Sequence, residues 1–394
     1  MQARQLKSIQ QWSRHWIWTD VISIFIVTRF ALLLVGWFTQ FIAPNVHYPG
    51  QESVARGWDY TTFRLLDIWG RWDTGWYLGI VKSGYVINGP LHSTQSNIAF
   101  FPLYPYLIKL LALLIPGSQT RPRDLLLIGV IVSNLFLVGA LLLLHKLIVT
   151  TFNDQSLAQR SIQYLLFFPT GFFFSCFYTE SAFLFLSVAA IYAATGRSWA
   201  AAGLSGGLLA LTRPIGILVI IPLAWLYLES LDWKLVKIRM NILWLLLVPA
   251  GLFSFLLVAY KLSGDFLAPI HVQQAWQRKF VMPWQTLISP FGGNASVTFI
   301  EQVLVVGFIA SALLSLLKLP SASYGLYSLL LIVVPLTSGT LMSTSRYLVV
   351  VFPVFILMAI WGGRISLVDR TLKTVFLTLQ VLFMTAWCQF YWVA

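Results

Sequence analysis

Apolar residues fill this chain in long blocks separated by short polar breaks. The first block runs from about residue 18 to 42, enough for the roughly 20 apolar residues that a helix needs to cross a hydrocarbon core. From residue 125 onward, blocks follow one another at about 125–149, 161–178, 181–196, 199–212, 214–228 and 240–262, then near 303–318, 322–342, 346–362 and 374–393. The pattern predicts an all-α polytopic membrane protein, a single integral membrane domain over residues 1–394 with about eleven transmembrane helices. Two polar stretches, 43–124 and 263–302, are too long to be simple turns.

Basic residues give this arrangement a direction. With the N-terminus inside, Arg4, Lys7, Arg14, Lys146, Arg160, Arg197, Lys234, Lys237, Arg239, Lys318, Arg364, Arg370 and Lys373 fall in short cytoplasmic segments, as the positive-inside rule requires. Both long loops then face the other side, and any chemistry with them. The basic start followed by a long apolar run reads as a retained first span instead of a cleaved leader.

Composition agrees with a bilayer-embedded chain: 58% of the 394 residues are hydrophobic, 10% are charged and the mean hydropathy is +0.79, against about 25% charged residues in soluble domains. The net charge of +13 is spread over many short loops and lines no single face, which argues against nucleic acid as a partner and for membrane lipids. Cys176 and Cys388 lie inside apolar runs and suggest neither a disulfide nor a zinc site.

The first long loop carries the richest chemistry. It holds five of the thirteen acidic residues, and in LLDIWGRWDTGWYLGIVKSGY it sets Asp67 and Asp73 among Trp69, Trp72, Trp76 and Tyr77. Aromatic faces stack on pyranose rings, and a carboxylate between them can accept the proton of an attacking sugar hydroxyl; an interfacial aromatic belt around a solvated Asp is the plainer alternative. Pro102 and Pro105 open a helix in the amphipathic run FFPLYPYLIKLLALLIP, whose N-terminus either attracts an anion or only marks re-entry into the membrane. Glu180 stands alone between two apolar runs beside Tyr178, either functional and paired or solvated at a span boundary. Arg29, Arg71, Arg213 and Arg346 are the candidate phosphate-binding cations, with snorkelling to the interface as the alternative for the terminal ones. The second loop offers His271, Gln273, Gln274, Trp276, Arg278 and Lys279 as a lid or as a plain surface helix. Candidate sugar or acceptor contacts are therefore Trp72, Trp76, Tyr77, Tyr178 and His271. His271 has no neighbouring Cys or His, so no metal site is assigned and no cofactor is expected, although a carboxylate loop leaves a divalent ion open.

Six motifs occur in an order that carries a resemblance: RWD at 71–73, GY at 84–85, NIAFFPLYP at 97–105, YTESAFLF at 178–185, LALTRPIG at 209–216 and SRYLVVVFP at 345–353. The chain resembles the PIG-V family, the second mannosyltransferase of glycosylphosphatidylinositol assembly, and its bacterial relatives among the GT-C glycosyltransferases. The segment 230–340 matches only loosely. The resemblance implies a GT-C fold, a polyprenyl-phosphate hexose donor (mannose in the named family), a lipid-linked or glycan acceptor, Asp73 as general base and Asp67 as a second-rank carboxylate beside Glu180. Physical chemistry fits this: a phosphate monoester has its second pKa near about 6, so polyprenyl phosphate leaves without an acid and needs only cations to hold it, in a single inverting displacement. Compact loops and the absence of a retention signal favour a bacterial inner membrane with the site facing the periplasm. A lipid or solute transporter or flippase using the same charged cavity is the alternative from another class, although the inverted repeat of many transporters is not visible.

Overall fold

The computed structural model describes residues 17–43, 60–118, 121–288 and 295–393; Arg4, Lys7 and Arg14 of the orientation argument lie outside them. The described residues are helical, with no strand. Five helices are long and apolar enough to cross a membrane. These are Trp18–Ile42, a π-turn running into α1 (Ser23–Ile42); α5 (Pro122–Phe152); Met240–Ser263, ending in α10 (Leu247–Ser263); Thr298–Lys318 within α13 (Ala295–Lys318); and α17 (Ser366–Cys388). Shorter helices complete the bundle: α6 (Gln155–Phe167) and the apolar α7 (Glu180–Thr195), α8 (Trp199–Ala210), α9 (Ile220–Glu229), α14 (Ala322–Leu336) and α16 (Phe352–Arg364). The first loop contributes α2 (Arg64–Asp67), α3 (Thr74–Ser83) and α4 (Leu103–Ala112), and the second α11 (Ala268–His271) and α12 (Pro283–Ile288).

Two apolar blocks do not form the continuous helices that their length suggests. The block expected at 161–178 is helical only to Phe167. Pro169 follows Phe168, and the residue before a proline is pushed out of the helical region; Phe168 accordingly has ψ of 143°. Residues 168–179 then form a 3₁₀ turn and bends, yet Phe172, Phe174, Cys176 and Phe177 are fully buried. Non-helical backbone is tolerated at membrane depth only where protein surrounds it and satisfies its polar groups. Side chains from three other helices do so here. Arg29 on α1 donates to Gly171 O at 3.1 Å, Ser133 on α5 to Cys176 O at 2.9 Å, and Gln380 on α17 to Leu166 O and Phe168 O at 2.8 and 2.9 Å. Likewise the block at 346–362 begins a helix only at Phe352, with Pro353 in its first turn. Residues 344–348 form a separate one-turn helix, α15 (Thr344–Leu348), outside the membrane-spanning helices.

Packing of α8 against α10 and the turn before it depends on glycine. A Cβ on Gly207 would lie 2.6 Å from Leu247 O, one on Gly203 would run into the Trp244 carbonyl, and one on Gly251 into that of Gly207. Small residues let helix backbones approach where lipid supplies no hydrophobic drive between helices. Gly207→Leu is therefore expected to lower stability by about 1–3 kcal/mol, since overpacking forces the two backbones apart. Thermal unfolding in detergent checks this against Gly79→Ala in α3, whose added methyl meets nothing within 4 Å and which is expected not to lower the melting temperature.

Candidate active site

The RWD turn is built by Arg71. Its Nη1 donates to the carbonyl oxygens of Asp67 and Gly70 and to Asp67 Oδ2, at 2.6, 2.8 and 2.7 Å. Asp67 in turn accepts the amides of Tyr60 and Thr61. Both side chains are buried, and the guanidinium lies 4.2 Å from the centre of the Phe390 ring. Trp72 takes the left-handed conformation at φ 50°, which turns the chain so that Asp73 starts α3. Tyr178 fastens this turn: its hydroxyl donates to Arg71 O and accepts the Asp73 amide, both at 3.0 Å.

A second group of charges meets Asp73 from elsewhere in the chain. Arg346 on α15 donates from Nη1 to Asp73 Oδ2 at 2.8 Å, and its Nε lies 3.1 Å from Glu180 Oε1. Arg213, in the extended residue before a 3₁₀ turn, donates from Nη2 to the same Glu180 oxygen and from Nε to Thr179 Oγ1, the latter at 2.7 Å. Glu180 itself has no solvent exposure. One carboxylate at the start of α7 thus joins two guanidiniums that lie more than 130 residues apart in the chain. Arg213 Nη1 and Glu180 Oε2 have no hydrogen-bond partner.

These groups face a cleft of about 190 Å³ lined by Asp73, Tyr77, Arg213 and Arg346, together with Phe100, Trp276, Arg278, Tyr347 and Trp392. Trp76 stacks on Phe100 with ring centres 5.9 Å apart and meets Trp276 edge-on at 5.7 Å, so the wall beside Asp73 is aromatic. The second loop reaches the cleft through Trp276 and Arg278, and the amides of Lys279 and Val281 bond to Ser338 O and Thr337 O beyond α14. Not every candidate named from the sequence lines the cleft. Asp67, Arg71, Trp76, Tyr178 and Glu180 are not among its lining residues, Trp72 packs on Trp392, and Arg29 points at Gly171 and Ser175. His271 pairs with Asp265 at 2.6 Å, beside the His92 ring. Burial opposes ionisation of Asp265, and the His271 hydrogen bond and the Leu267 amide outweigh it, so its carboxyl stays below the usual range. Among the described residues no group of three His, Cys, Asp or Glu side chains is placed to hold a metal ion. Tyr347 and Trp392 went unmarked in the sequence reading; Tyr347 adjoins Arg346 in the SRYLVVVFP motif, whereas nothing in the pattern around Trp392 signals a site.

The profile of the mannosyltransferase (PIG-V) family matches residues 19–259. This chain belongs to that family. The PIG-V match includes Asp73, Glu180 and Arg213 and stops short of Arg278, Arg346 and Tyr347. GPI mannosyltransferase 2 of Drosophila pseudoobscura pseudoobscura is 26% identical over 182 residues, 42% of this chain and 38% of its own length. GPI alpha-1,6-mannosyltransferase 2 of Cricetulus griseus is 28% identical over 194 residues, 46% of this chain and 37% of its own. The chain thus aligns with less than two-fifths of these relatives. Among solved structures, ArnT from Cupriavidus metallidurans, crystallised bound to undecaprenyl phosphate, superposes with a TM-score of 0.53 at 12% identity, over 89% of this chain and 62% of that one. At that identity the likeness is one of fold, and the fold is GT-C-like.

The Asp67–Arg71 pair makes a prediction of its own. Asp67→Ala leaves a buried guanidinium uncompensated and is expected to destabilise the protein by about 3–5 kcal/mol. A thermal-shift series in detergent reads this; a melting temperature equal to that of the native chain contradicts it.

Proposed function

We propose that this PIG-V family member is a glycosyltransferase that moves a hexose, in all expectation of its family mannose, from a polyprenyl-phosphate carrier to a lipid-linked or glycan acceptor. The reading rests on one observation: a carboxylate, Asp73, and two guanidiniums, Arg213 and Arg346, open onto the same aromatic-walled cleft. Asp73 takes the proton of the acceptor hydroxyl as that oxygen forms its bond to the anomeric carbon. The bond from the anomeric carbon to the phosphate oxygen breaks, its electron pair stays on the phosphate, and the configuration inverts. Arg213 and Arg346 hold the departing phosphate, which needs no acid because its second pKa lies near about 6. Tyr77, Phe100 and Trp276 supply the aromatic faces on which a sugar ring stacks, with Trp76 packed against Phe100 and Trp276. Asp67 and Glu180 act by holding arginines in place.

The same reading takes the chain as a multi-pass protein of about eleven spans in a bacterial inner membrane, with the cleft facing the periplasm. The positive-inside distribution of its basic residues supports that orientation. Nothing in the family or the fold favours the transporter alternative. The experiment is sugar release from radiolabelled polyprenyl-phosphate mannose by the purified protein in lipid. The native chain is expected to consume the donor in the presence of acceptor extract. Asp73→Asn is expected to lose at least a thousandfold in turnover, within the range that general-base and positioning effects supply together, while still binding the donor. Turnover of that variant within tenfold of the native chain rules out Asp73 as the base.

A further inference from the structure

The cleft carries more positive charge than its carboxylates offset. Arg213, Arg278 and Arg346 are the cations among its lining residues; Asp73 lines it too, and Glu180 backs Arg213 and Arg346. Three guanidiniums thus face two carboxylates, and one positive charge is left over. Arg213 Nη1 and Arg278 Nε, both buried, lack hydrogen-bond partners. A site with surplus charge and idle donors fits an anion of one negative charge, which is the state of a sugar phosphodiester at neutral pH.

Tyr347 sits where these cations converge. The Arg213 and Arg346 guanidinium carbons lie 5.3 and 5.6 Å from its ring centre, and Arg278 comes in from the second loop to hydrogen-bond it. The other titratable groups near it are Asp73, which pairs with Arg346, Glu180, which pairs with Arg213 and Arg346, Tyr77 of the same cleft, and Glu301, which lies against Ser345 of α15. We propose that Tyr347 is a specificity-determining residue of the donor site, whose neutral phenol preserves the surplus positive charge and donates a hydrogen bond to the phosphate group that enters. The proposal rests on the cleft being the donor site, as above.

A consequence follows for pH. Burial opposes ionisation of this phenol, but Arg278, Arg346 and Arg213 outweigh it and draw its pKa down to about 8. Below that pH the phenol is neutral and the site keeps its charge. Above it a phenolate cancels the surplus, so the bound anion must be accompanied by a proton. Donor affinity is then expected to fall about tenfold per pH unit above about 8. A phosphodiester keeps its single charge over this range, and comparison with Tyr347→Phe separates the phenol from the other titratable groups near the cleft, Glu301 beside Ser345 of α15 included.

The test is the binding of a short-chain polyprenyl-phosphate mannose to the full chain in lipid nanodiscs from pH 7 to 9.5, native against Tyr347→Phe. Support is an alkaline fall in the native protein that vanishes in Tyr347→Phe, whose affinity at pH 7 is lower by about tenfold or more for the lost hydrogen bond to a charged group. A flat native profile, or the same fall in both proteins, overturns the role of Tyr347 and leaves the donor reading standing. No binding at any pH, including pH 7, overturns both. Should the variant fail to fold, tyrosinate absorbance of the native protein decides. A single tyrosine ionising near pH 8, with ionisation suppressed by the donor, supports the proposal; no such tyrosine, or one indifferent to the donor, defeats it.

Discussion

Glu180 holds its charge where water does not reach it, and a carboxylate in that position survives only with cations against it. Its Oε1 takes Arg213 on one side and Arg346 on the other, and from this junction the rest of the site is set. Arg346 extends to Asp73, which starts α3 of the first loop. Arg213 extends to Thr179 in the turn before α7. Loop, bundle and the segment after α14 are thereby tied through a single oxygen atom. Removing one member leaves the others as buried, uncompensated charge, so the constellation forms as a unit.

That junction needs a backbone that stops being helical inside the protein. An unbroken helix over 161–195 would carry Tyr178, Thr179 and Glu180 along one rod, with no free choice of direction. The break at Phe168–Pro169 and the 3₁₀ turn that follows let the chain fold back and start α7 at Glu180. Leaving the helix strands carbonyl groups in an apolar interior, and each unsatisfied one costs several kcal/mol in such surroundings. Arg29, Ser133 and Gln380 satisfy four of them. Arg29 is thus an intramembrane cation that donates to a backbone carbonyl and a serine hydroxyl of this turn and to the neighbouring Thr28 hydroxyl.

The two arginine pairs of the first loop and the bundle differ in consequence. Arg71 spends its Nη1 on three oxygens of its own turn and is shut in by Phe390. Arg213 and Arg346 are tied to carboxylates on one side and open to the cleft on the other. Enclosure away from the cleft makes the first a strut; exposure of the others to the cleft leaves them with capacity for a ligand.

By itself the sequence determined the all-helical, membrane-embedded class and the family, because apolar block length and motif order are local properties that survive without knowledge of contacts. It also marked Asp73, Glu180, Arg213 and Arg346 as unusual, since charges beside long apolar runs are rare. Only the tertiary structure decided which of them meet. The partners Asp73 and Arg346 are separated by 273 positions, and no periodicity encodes such a distance. It decided as well that the blocks at 161–178 and 346–362 break; at the first, proline gives the place, but the side chains that make the buried break tolerable come from α1, α5 and α17. Tyr347 and Trp392 became part of the cleft for the same reason: an aromatic residue in an aromatic-rich membrane chain has no sequence signature of its own, and the guanidiniums around it are what distinguish Tyr347.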